Sequence, residues 1–315
     1  MQGFMKGIAA TALALAVTGG TAAAQDPASC SPVRFSDVGW TDITATTALT
    51  TSILQALGYE TDIKVLSVPV TYASLKNGDI DVFLGNWMPT MEADIAPYRD
   101  EGSVETIATN LEGAKYTLAV PQYTYDAGLQ SFQDIAGFKD QLDGKIYGIE
   151  PGNDGNRLII DMIDNDTFGL SGFELVESSE QGMLAQAKRS VDRTEDIVFL
   201  GWEPHPMNAN IEMAYLSGGD DIFGPDYGGA TVYTNVRKGY VEECPNVGKF
   251  LQNLVFTLDI ENEAMGMILD QGMDGAGMAK LYLNQHPEVL DAWLDGVTTV
   301  AGEPGLPAVR SFFGN

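Results

Sequence analysis

Apolar and polar positions along this chain switch between a period of two and a period near 3.6, and the switching predicts its elements. Val33 to Trp40 (VRFSDVGW) reads as a short strand ending in Gly-Trp. Behind it Leu49, Ile53, Leu54 and Leu57 recur at the spacing of one helical face, and Gly58 supplies a stop. Residues 61–68 (TDIKVLSV) read as a second strand, 71–80 (TYASLKNGDI) as a helix closing at Asn-Gly, and 81–87 (DVFLGNW) as a third strand. This rhythm predicts an α/β sheet with parallel strands. It restarts at Ala114–Pro121 (AKYTLAVP), a strand. Residues 143–164 follow as a strand, a Gly-rich turn and a helix, 182–192 as a helix, and 196–202 (DIVFLGW) as a closing strand. Beyond Met213 come a strand-like stretch at 230–240 and apolar-periodic helices at 247–258, 262–272 and 276–286.

The simplest organisation is two α/β lobes with a ligand cleft between them. Residues 25–113 begin the first lobe, 114–206 form the second, and 207–315 return to complete the first. Ligands settle at the C-terminal ends of strands in such sheets. One phrase is written twice, once in each lobe: DVFLGNWMPTM at 81–91 and DIVFLGWEPHPM at 196–207. Each copy ends a buried-looking strand in Trp, with Pro close behind. Trp87 and Trp202 are therefore expected to face each other across the cleft when the lobes close. Trp40 also ends a strand, and Tyr116 lies on the first strand of the second lobe. Trp293, in EVLDAWLDG, has a helical context and is assigned to packing.

The first 24 residues change the picture of where the chain works. Lys6 precedes an apolar run, Ile8 to Val17, of about ten residues, too short for a bilayer core of about 30 Å. Ala22-Ala23-Ala24 then supplies small residues, so 1–24 reads as a secretory signal peptide cut after Ala24, with Met5 as an alternative start. Export implies an oxidising compartment, and the two cysteines, Cys30 and Cys244, are expected to form a disulfide. Two cysteines without a nearby His make no metal site. The formal net charge of −27 over 315 residues argues against nucleic acid or anionic membrane as a partner.

Candidate chemistry points to binding. Several aromatic faces converging on a cleft hold a quaternary ammonium group by cation–π attraction, each ring contributing roughly 0.5–2 kcal/mol. Asp42, two residues past Trp40, is a candidate counter-charge, and equally an N-cap for a helix starting near Thr44. Asn153, in the Gly-rich turn EPGNDGNR, is either a polar ligand contact or a turn and cap former. That turn lacks both the phosphate-loop and the dinucleotide patterns. No Gly-x-Ser-x-Gly or His-Glu-x-x-His occurs, and His205 beside Glu203 is an unremarkable pairing. No catalytic residue, cofactor or metal is expected. A secreted hydrolase using cleft carboxylates is the rival class.

The stretches SDVGWTDITATTA, DVFLGNWMPTMEADI, GAKYTLA, IYGIEPGNDGNRLIIDM, FLGWEPHPMN and GGATVYTNVRKGY identify a likeness over almost the whole chain after the signal. It resembles the substrate-binding proteins of the glycine betaine/choline type that feed ABC importers, and among them the periplasmic choline-binding members. The resemblance implies a two-lobed periplasmic binding protein fold, type II-like, that closes over its ligand. It implies an aromatic box of Trp40, Trp87, Tyr116 and Trp202, with Asp42 and Asn153 contacting the ligand hydroxyl. It also pairs Cys30 with Cys244. The implied partners are choline or a related quaternary ammonium compound and an ABC permease with its ATPase, the receptor itself acting as a periplasmic monomer. A box with an Asp, an Asn and no base favours choline over glycine betaine, whose carboxylate wants a cation or N–H groups. Acetylcholine is a plausible weaker ligand. Glycine betaine or another trimethylammonium compound is the alternative, and a chemoreceptor could replace the permease as partner. For the rival hydrolase, the resemblance implies a choline ester as substrate.

Overall fold

The computed structural model describes residues 25–314, so the signal segment read over 1–24 lies outside the described residues. Nine strands are present among them: β1 (Val33–Asp37), β2 (Thr61–Val65), β3 (Val82–Met88), β4 (Val104–Pro121), β5 (Lys145–Tyr147), β6 (Glu174–Val176), β7 (Phe199–Glu203), β8 (Met213–Tyr215) and β9 (Gly229–Arg237). They run in the order β2-β1-β3-β9-β4-β7-β5-β6, with β8 also paired to β4. β1 lies parallel to β2 and β3, and β5 parallel to β6 and β7, as the strand–helix rhythm requires. The result is a two-lobed α/β fold. No helix among the described residues is long and apolar enough to cross a membrane.

The antiparallel centre was not legible. β4 runs through 18 residues, so Gly113, read as the end of one unit, lies inside a strand. β4 pairs with β9 over residues 104–115 and with β7 over 115–119. Register shifts between Thr106 and Ala108, Thr109 and Leu111, and Leu111 and Ala114 break the period-two pattern that would have revealed its first half. The segment 207–228, assigned from sequence to the first lobe, touches both sides: Asn210 Nδ2 donates to Asp270 Oδ1 at 3.3 Å. β8 pairs with 119–121, Ser217 bridges Ser131, and the Phe223 ring lies 5.8 Å from Phe132.

The helix Thr41–Ala56 begins three residues earlier than expected, with Trp40 in extended conformation at its cap position. Asp42 thus sits in the first turn, where an acid suits the helix dipole, and does not cap the helix. The helix is buried on most of its surface despite its threonines. Thr46, Thr50 and Thr51 each donate to the carbonyl four residues back, at 2.7–3.0 Å, and so bury no free hydroxyl. Cys30 and Cys244 are disulfide-bonded across 214 residues. Asp26 ties the same two regions by accepting from Asn246 N and Val247 N at 2.7 and 3.0 Å, at the start of the helix Pro245–Asn253. Trp293 packs on Phe256 at 5.4 Å and donates to Val255 O, the packing role read from its context.

Candidate functional site

The two copies of the repeated phrase end on one cavity. β3 carries Trp87 and β7 carries Trp202, each near its C-terminal end, and in both copies the Pro two residues on follows a cis peptide bond. β4 places Tyr116 directly opposite Trp202 in register. Gly39, at φ +84°, turns the chain so that Trp40 enters from the start of the Thr41–Ala56 helix. These four rings, with Asp42, Ile149, Asn153 and Asp154, line one cavity. All six residues singled out in the sequence are at this one place, and Ile149 and Asp154 join them.

Trp87 and Trp202 do not meet face to face. Tyr116 stands between them, with ring centroids 6.2 Å from each and interplanar angles of 65° and 81°. The polar edges of three rings are occupied by protein partners. Trp40 Nε1 donates to Glu150 at 2.8 Å, Trp87 Nε1 to Asp42 Oδ2 at 3.2 Å, and the Tyr116 hydroxyl to Asn153 Oδ1 at 2.8 Å. Buried indole and phenol groups need such partners, and satisfying them fixes the orientation of each ring. Gly155 makes the Tyr116 contact possible: a Cβ there would fall 2.2 Å from the Tyr116 hydroxyl. Asn153 is both a helix cap and a cavity-lining residue. It caps the helix Asp154–Asp164 by accepting from Asn156 N at 3.0 Å, and it lines the cavity.

The electrostatics are one-sided. The lining holds two acids and no base. Asp42 Oδ1 and Asp154 Oδ2 are buried and have no protein hydrogen-bond partner, a costly arrangement for an ionised carboxylate. Burial, and then the neighbouring Glu180 charge, push the Asp42 carboxyl up to about 8. Burial likewise raises Asp154 to about 6 and Glu150 to about 7. A cation placed in this cavity would relieve all three. Asp154, which was not singled out in the sequence, directly follows Asn153 in the Gly-rich turn. His205 does not pair with Glu203; its Nε2 lies 3.2 Å from Glu180 Oε1 and its Nδ1 accepts from Met207 N at 2.9 Å, outside the cavity lining.

Known proteins resemble this chain closely. The family model for the substrate binding domain of ABC-type glycine betaine transport systems matches residues 31–285. An ABC-transporter choline binding protein, solved in complex with choline, is 67% identical; the match covers 91% of this chain and 100% of that one, with a TM-score of 0.90. Such a protein in an unliganded semi-closed conformation, also 67% identical with the same coverage, superposes less closely, with a TM-score of 0.84. The uncharacterized protein ORF1 of Chromohalobacter salexigens is 60% identical over 129 residues, 41% of this chain and 83% of its own.

Proposed function

Because the chain belongs to the family of substrate-binding domains of ABC-type glycine betaine transport systems, we propose that it is a periplasmic receptor that captures choline and delivers it to an ABC permease and ATPase. One observation carries the choice of ligand: four aromatic rings and two buried carboxylates share a cavity whose lining contains no base. The trimethylammonium group rests against the faces of Trp40, Trp87, Tyr116 and Trp202, where cation–π attraction acts in a desolvated setting. Asp42 accepts the hydroxyl proton and supplies the counter-charge, and Asn153 fixes the polar end. A betaine would bring its carboxylate against Asp42 and Asp154, a like-charge contact that discriminates by repulsion. The rings come from both sides of the cleft, so the cavity is completed by closure. The first lobe comprises 25–113 with 229–314 and the second 114–228, with β4 and β9 as the crossing strands. The signal segment accounts for export to the periplasm.

Intrinsic tryptophan fluorescence tests this on the mature chain. Choline is expected to give a saturating change at micromolar concentration or below, and no response at millimolar choline would refute the proposal.

Proton linkage gives a second expectation. Burial raises the Asp42 carboxyl to about 8, whereas a bound cation favours its ionised form and lowers its pKa. Binding therefore releases protons below that pH, and affinity rises with pH until it levels near 8. Calorimetry in two buffers of different ionisation enthalpy measures the release directly. An affinity constant from pH 6 to 8, with no proton released, would contradict it.

A further inference from the structure

Glu180, at the first position of the helix Glu180–Asp192 in the second lobe, reaches across the cleft to the first residue of the Thr41–Ala56 helix. Thr41 N donates to its Oε2 at 2.8 Å and the Thr41 hydroxyl donates to its Oε1 at 2.5 Å. On the other side stands His205. Its Nδ1 accepts the Met207 N–H, so Nε2 carries the proton and points to Glu180 Oε1 at 3.2 Å. The His205 ring in turn packs 4.9 Å from Trp202. Glu180, Thr41 and His205 are all buried, and none of them lines the cavity.

Thr41 is flanked by Trp40 and Asp42, both of which do line it. One carboxylate off the cavity therefore joins the segment carrying two lining residues to the imidazole that supports a third. The carboxylate takes up one of the backbone N–H groups left free at a helix start, in the field of that helix's dipole. With donors on both oxygens, its burial is compensated. The two Thr41 bonds run between the lobes and the His205 bond lies within the second, so closure is what would form the Thr41 pair.

We propose that Glu180 is a positioning residue that latches the closed form and sets how long the ligand stays, not how fast it arrives. The proposal rests on the choline-receptor reading above. Encounter precedes closure, so loss of a contact made on closing appears in the dissociation rate.

Stopped-flow fluorescence of the mature chain with choline separates the two rates in wild type, Glu180→Gln, Thr41→Val and the double variant. Dissociation is expected to quicken about ten- to hundred-fold in Glu180→Gln and about ten-fold in Thr41→Val, the worth of one or two charge-assisted hydrogen bonds. Association should stay within about three-fold. The double variant should match Glu180→Gln, because both changes break the same contact. Small-angle scattering of choline-saturated Glu180→Gln should show a less compact particle than wild type. Unchanged dissociation in folded variants would overturn the latch, as would a lower melting temperature of the unliganded protein with no kinetic change. Should Glu180→Gln fail to fold, Thr41→Val decides by the same dissociation rate. Wild type without any choline response overturns the ligand reading and the latch with it; wild type that binds choline while the variants dissociate at its rate overturns the latch alone.

Discussion

Asp42→Asn is expected to weaken choline binding by about two orders of magnitude or more, and at the same time to raise the melting temperature of the unliganded protein. The two effects have one cause. Asp42 is buried, one of its oxygens has no protein partner, and its carboxyl is pushed up to about 8. Its folded pKa lies above the unfolded value of about 3.9, so the folded protein binds the extra proton between those values. Stability of the unliganded protein is therefore lost as pH rises toward 8. Asn removes that cost while keeping the size of the side chain and an acceptor for Trp87 Nε1. In the complex the sign reverses. Truncating one partner of a buried charge pair costs roughly 2–5 kcal/mol, and choline loses both its counter-charge and the acceptor for its hydroxyl. Calorimetry and thermal melts at pH 7.5 check both halves. A variant with lower affinity and a lower unliganded melting temperature would show that Asp42 is a structural acid.

Trp202 gives the second large effect. It closes the cavity from β7, opposite Tyr116 in register, and its ring is also the one His205 supports. Trp202→Leu retains apolar bulk and removes the π face, so it separates cation–π attraction from simple filling. Loss of a desolvated cation–π contact with its packing is worth about 2–3 kcal/mol, which weakens choline binding roughly 30- to 150-fold. Trp202→Phe should recover part of it. Titration of both variants, with circular dichroism to confirm their fold, makes the measurement. Equal affinity in wild type and Trp202→Leu would mean that the repeated phrase serves packing alone.

The repeat was the most informative feature of the sequence, and the reason is physical. A strand must stay apolar to be buried on both faces, so the Trp that ends it is placed where the sheet opens onto a cavity. VFLGNW and VFLGW thus located two cavity-lining residues on two separate strands. Local signals also located Trp40, Tyr116, Asp42 and Asn153, but not how they meet. The insertion of Tyr116 between Trp87 and Trp202 depends on the β4–β7 register, a long-range property that no window of sequence displays. The first half of β4 was hidden by its register shifts. The alternative reading of Asp42 as a helix cap fails because the helix begins at Thr41, which puts Asp42 in its first turn. Asp154 and Glu180 were missed for a shared reason. Each is an acid in the first turn of a helix, a common position whose bland explanation is the helix dipole, and only three-dimensional placement shows one in the cavity lining and the other across the cleft.

The central claim is that a cavity of aromatic faces and carboxylates, without a base, selects a cation with a neutral polar end. Calorimetric titration of the mature chain with choline and with glycine betaine, under one set of conditions at pH 7.5, tests it most directly. Choline should bind at micromolar concentration or tighter, with glycine betaine weaker by about a hundredfold or more, the cost of setting a carboxylate against buried acids. Glycine betaine binding as tightly as choline, or more tightly, would contradict it.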